Sequence, residues 1–129
     1  MDHWQSIARP DEDCSTTFQL TVTIQTQMDG ETRNIELQEE GFAICKGGEV
    51  YAYRNHCPHT GSPLDWMPNQ FFSDDKEVLV CHTHGAKFNP TNGDCISGPC
   101  PHGLYSLPVK EVSDNLIQVP TSIAHKKDY

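Results

Sequence analysis

Between Thr17 and Met28 the chain reads TFQLTVTIQTQM, with apolar or β-branched side chains alternating with polar ones. A period of two marks a strand with one face in a core and one in water. Asp29–Gly30 follows, a dipeptide suited to a two-residue hairpin turn, and ETRNIELQ runs back. GFAICKGGEVYAYRNHC repeats the plan as strand, turn at Lys46–Gly47–Gly48, and strand, and the second strand leads directly into Cys57. VLVC (Val78–Cys81) is a short apolar strand, and AKFNPTNGDCIS predicts a hairpin turning at Asn92–Gly93. LYSLPVKEVSDNLIQV predicts two more strand segments about a turn near Asp114–Asn115. Little of the chain has a helical period, and no internal repeat or low-complexity tract interrupts it. Many short strands between turn residues predict an antiparallel sandwich or barrel.

Composition agrees with this reading. A length of 129 residues suits one domain, and nine Gly with nine Pro favour a loop-rich β protein over a helical bundle. No apolar run approaches the roughly 20 residues that span a bilayer. MDHWQSIARPDED lacks the basic and apolar regions of a secretory leader, so the chain is expected to be soluble and cytoplasmic, with no membrane partner. The net charge of −9 argues against nucleic acid, which is gripped by basic side chains. It is compatible with solubility alone or with steering towards a basic patch on a protein partner.

Six cysteines in a chain read as cytoplasmic point to metal or redox chemistry, or to buried thiols, more than to a disulfide framework. Two of them stand in mixed pairs. NHCPHTGSPL holds Cys57-x-His59, VCHTHGAKF holds Cys81-x-x-His84, and 21 residues separate His59 from Cys81. Both pairs follow predicted strands, so both occupy loops at strand ends. Two thiolates and two imidazoles make a valid tetrahedral zinc set, although Cys-x-His is a strained half-site for a single ion. A two-iron cluster is wider, and a Rieske-type [2Fe–2S] centre needs two thiolates on one iron and two imidazoles on the other. One Cys and one His from each loop meet that need.

At these residues the sequence resembles the Rieske family, whose pattern is Cys-x-His, a spacer, then Cys-x-x-His. CPHTG and CHTHG carry it here, with Gly61 and Gly85 close to the two histidines. GAKFNPTNGDCISGPCPHGLYSLPV is similar to the family's segment after the second ligand loop, including the GPC turn. The resemblance spans roughly Gly41 to Val119. It implies an all-β, Rieske-type antiparallel sandwich or barrel of three small sheets, one domain over residues 1–129, with a cluster-binding subdomain at the tip. The cluster loops are then about 55–66, 81–90 and 97–102. It implies one [2Fe–2S] cluster, with Cys57 and Cys81 on one iron and His59 and His84 on the other through Nδ1.

Other candidates have plainer readings. His56, His82 and His102 are expected to be polar loop residues, and His3 and His125 carry no signal. Cys95 and Cys100 are expected to be buried thiols, since the ligand set is complete without them. Cys14 and Cys45 are read as core residues of strands. Trp66 and Met67 suit packing under the first loop or a docking surface.

Within the family, high-potential members place two further Cys where this chain has Ser62 and Thr83, and hydroxyls where it has Ala86 and Phe88. Hydrogen bonds to sulfur stabilise the reduced cluster, so their absence implies the low end of the Rieske range, about −150 mV. Only ten residues follow Val119, too few for the mononuclear iron domain of a ring-hydroxylating oxygenase. The chain therefore resembles soluble Rieske ferredoxins, which are electron-transfer components and not enzymes on their own. The implied partners are a flavin-dependent reductase and a terminal oxygenase with basic docking patches. The small subunit of nitrite reductase shares the fold and remains an alternative, as does a zinc-binding structural or sensor module.

Overall fold

The computed structural model describes residues 4–55, 71–73, 75–81, 85–98 and 103–126. The alternation in Thr17–Met28 forms β2 (Ser15–Met28), preceded by β1 (Trp4–Ala8). Asp29 and Gly30 both take positive φ, 54° and 78°, as a tight hairpin turn requires. The return strand is longer than its sequence pattern suggests. ETRNIELQ and GFAICK fuse into one strand, β3 (Glu31–Lys46), paired with β2 from Met28↔Glu31 to Ser15↔Ile44. Gly41 lies at the join. A Cβ there would fall 2.5 Å from the Phe18 ring, so the glycine makes room for the ring of its cross-strand partner. Gly47 and Gly48, both at positive φ, turn the chain into β4 (Glu49–Arg54).

The central sheet has the order β11-β2-β3-β4-β8, with β8 at Ser106–Leu107 and β11 at Ser122–Lys126. Alternate side chains of β3 and β4 serve two cores. Phe42, Ile44 and Tyr53 face a sheet of β5 (Leu79–Cys81), β6 (Ala86–Phe88) and β7 (Cys95–Ser97), where Phe42 stacks on Phe71 at 3.9 Å between centroids. Ala43 and Ala52 join Phe18, Leu20 and Val22 against Ile117 and Val119 of β10 (Leu116–Pro120). That strand lies between β1 and β9 (Lys110–Glu111) in the third sheet. The three-sheet all-β architecture is thus present.

Several details differ from the sequence reading. β11 pairs parallel with β2, because after Pro120 the chain crosses from the outer sheet to the open edge of β2, where Thr21 N–H donates to Thr121 C=O at 2.9 Å. The segment read as two strands between Leu104 and Val119 contains three, β8, β9 and β10. Cys45 is buried in β3 as expected, but Cys14 is exposed just before β2, where the backbone has turned at Asp13 (φ 60°).

Candidate metal centre

β4 delivers the chain to the first Cys–His loop from a well-anchored end. Arg54, 1 % exposed, forks onto Glu39 at 2.7 and 2.9 Å, and its guanidinium lies 5.3 Å from the centre of the Tyr105 ring. The Arg54 N–H donates to Tyr105 C=O at 2.9 Å. Asn55 is tied by its N–H to Glu40 C=O at 2.9 Å and by its side-chain amide to the Glu40 carboxylate at 3.4 Å. Two residues later the sequence reaches Cys57. The chain returns to the described structure at Phe71, whose C=O accepts from Val80 N–H at 2.8 Å, while Phe72 bridges to Leu79. That register brings the far root of the first loop to the end of β5 that carries Cys81.

The second pair lies on the β5–β6 connection. Cys81 is buried, belongs to no disulfide, and stands directly opposite Ala86. Gly85 N–H donates to Cys81 C=O at 2.8 Å, with Gly85 at φ 75°, so the loop closes within four residues of the cysteine. A non-glycine side chain is disfavoured at that φ.

The β6–β7 hairpin anchors both ends of the third segment. Gly98 (φ 94°) approaches so closely that a Cβ there would lie 2.7 Å from Ala86 Cα. A Cβ on Gly103 would lie 2.5 Å from Gly93 C=O, which accepts from Leu104 N–H at 2.8 Å. Tyr53, its phenol pushed well above the usual range by burial, donates to Pro90 C=O at 2.6 Å and ties β4 to the same hairpin.

Three comparisons with known proteins bear on this arrangement. The Rieske [2Fe–2S] domain family matches residues 18–112. The chain belongs to the Rieske family. With membership comes one [2Fe–2S] cluster per chain. No curated protein matches. Among solved structures, the ferredoxin of carbazole 1,9a-dioxygenase from Nocardioides aromaticivorans IC177 superposes with a TM-score of 0.56 at 22 % identity, covering 86 % of this chain and 88 % of that one. A ferredoxin–oxygenase complex of carbazole 1,9a-dioxygenase gives 0.61 at 20 % identity, covering 92 % and 94 %. The terminal oxygenase from Novosphingobium sp. KA1 gives 0.59 at 21 % identity, covering 98 % of this chain but 31 % of its own length. These likenesses show the Rieske fold.

Of the four sequence-selected ligands, Cys81 is described; Cys57, His59 and His84 lie outside the described residues. So do His3, His56, His82, His102, Ser62, Thr83, Trp66, Met67 and Cys100. The chemistry at Cys81 fits a cluster thiolate: a cysteine outside any disulfide, at the mouth of a four-residue turn, on the core side of the sheet. Cys95 departs from expectation. It is half-buried and disulfide-bonded, not a buried thiol. Cys14, Cys45 and Cys81 are all outside disulfides, so its partner lies beyond the described residues. Counting ligands removed Cys95 from the metal site but could not distinguish a thiol from a staple. Sequence reading also passed over Arg54 and Glu39. Arg54 follows an apolar strand and sits three residues before Cys57, which was the available signal. Among the described residues no helix is long and apolar enough to cross a membrane.

Proposed function

We propose that this Rieske protein is a one-electron carrier between a flavin-dependent reductase and a terminal oxygenase. Cys57 and Cys81 bind one iron, and His59 and His84 bind the other. When bound, the cluster supplies a centre that gains and loses one electron without proton bookkeeping at carbon. The observation that carries the reading is the position of Cys81, buried at the end of β5 and level with the returning root of the loop that holds Cys57 and His59. Cys81 stands at the end of β5, and Gly85 N–H closes onto its carbonyl at 2.8 Å. The Arg54–Glu39 fork and the Asn55–Glu40 contacts hold the first loop at its root. That solved relatives include a ferredoxin in complex with its oxygenase supports an oxygenase as acceptor.

Ala86 and Phe88 are buried without hydroxyls, which supports a potential at the low end of the family range. Purified protein should be brown, contain two irons per chain, and be reduced by a flavin reductase with NADH in stopped flow. It should then be reoxidised by a ring-hydroxylating oxygenase. A colourless, zinc-loaded protein would overturn the cluster assignment, and a cluster that no flavin reductase reduces would overturn the carrier role.

A further inference from the structure

The outer half of β3 is an open sheet edge. Among the described residues β4 covers β3 only from Gly41 to Lys46, and residues 31–38 are all exposed. The direction of the free backbone groups follows from two contacts. Glu40 C=O accepts from Asn55 N–H on the β4 side, while Cys45 exchanges bonds with Asp13 and Cys14 on the β2 side. The β2–β3 register runs without a bulge, so even-numbered residues point their N–H and C=O away from β2. Thr32, Asn34, Glu36 and Gln38 therefore offer an unpaired ladder. On the odd-numbered positions Ile35 and Leu37, 45 % and 40 % exposed, extend the apolar face begun by their partners Ile24 and Val22. A strand edge with free backbone groups and exposed apolar side chains is a template for another strand.

We propose that this edge pairs antiparallel with the same edge of a second copy, about a two-fold axis at Glu36. In that register Asn34 meets Gln38 and Glu36 meets Glu36, all with backbone groups pointing across, and the ladder ends at Arg33–Glu39, because beyond it Asn55 and Arg54 already occupy the β3 edge. Ile35 then lies opposite Leu37, and Arg33 opposite Glu39, each twice by symmetry. Arg33 is available, since its present contact with Glu31 is a 3.7 Å pair between exposed groups. A shift of the axis by one residue sets Arg33 against Leu37, or Glu39 against Ile35, so charge and apolarity together select one register. The paired ribbon runs β11-β2-β3-β3-β2-β11, with an apolar row continuous across the axis. Opposing it are the Glu36–Glu36 contact and the charge of −9 on each copy, so the association is weak and strengthens with salt.

Sedimentation velocity of the holoprotein across a concentration series at low and high salt tests this. The wild type should pass from monomer to dimer, more readily at high salt. Glu36→Gln should tighten the dimer about two- to fivefold by removing the like-charge contact. Asn34→Pro, which deletes an outward N–H and leaves the β2 ladder its bonds, should stay monomeric with its visible spectrum unchanged. Leu37→Lys should do the same, and serves if the proline variant does not fold. A wild type that remains monomeric throughout, or a dimer that survives Leu37→Lys, overturns self-pairing. A dimer unmoved by Glu36→Gln overturns the register.

Discussion

Ala86 is one methyl group, and its place opposite Cys81, a proposed cluster ligand, gives it leverage over that sulfur. Directly paired residues of an antiparallel sheet hold their Cβ atoms about 4.5–5.5 Å apart, so a hydroxyl at position 86 is within reach of the Cys81 sulfur. Phe88 lies one pair further along the same buried face, opposite Leu79. The double change Ala86→Ser and Phe88→Tyr should raise the potential by several tens of millivolts, since about 59 mV corresponds to a tenfold change for one electron. Film voltammetry measures it, and an unchanged potential on an intact cluster would show that neither hydroxyl reaches sulfur. Under the proposed ligation, His59→Ala or His84→Ala should abolish the normal visible spectrum, because either would leave an iron short of a ligand. Arg54 is a different kind of single residue. Its charge is buried and balanced by Glu39, so Glu39→Leu strands a guanidinium in the core and should cost about 3–5 kcal/mol in urea unfolding. Replacing both, Arg54→Met with Glu39→Leu, should restore much of that loss.

At the scale of elements, the hairpins were legible because their turns need particular residues. Asp29–Gly30, Gly47–Gly48 and Gly93 all take positive φ where the sequence places its turn signals. Strand length was not legible. Nothing between Gln38 and Phe42 says whether the chain turns or runs straight, and the answer depends on Phe18 packing over Gly41 from a partner strand. Gly41→Val should therefore destabilise the fold by displacing that ring, seen as a fall in Tm. The Lys46–Gly47–Gly48 turn has its own clasp. Glu12 accepts from Gly47 N–H at 2.7 Å and Gly48 N–H at 2.9 Å, and these bonds hold its carboxyl below the usual range. A depressed pKa adds stability above the ordinary carboxylate range and loses it as pH falls through the lowered value. Glu12→Gln should lower Tm at neutral pH, with the difference from wild type shrinking in acid.

For the whole molecule, the sequence announced the fold class through alternation and the family through motif spacing. It did not announce β1 or β11, which are short edge additions whose place depends on a distant partner. Nor did it reveal that Cys95 is bonded, since bonding depends on which cysteines meet in space. The charge of −9 belongs to this scale too. Association with a basic redox partner should slow as salt rises, because the field is screened within about 8 Å at 0.15 M. Stopped-flow association rates insensitive to salt would leave acidity as a matter of solubility. The parallel ladder between β11 and β2 has a kinetic consequence. It joins Ser122 to Thr21, whereas the β2–β3 hairpin joins neighbours across a two-residue turn. Closing the long loop costs chain entropy before any contact rewards it, so the hairpin is expected to form early and β11 to dock after the rate-limiting barrier. Ile123→Ala should then leave the refolding limb of a chevron plot in place and raise the unfolding limb, so that detachment of this last strand sets how long the native state persists.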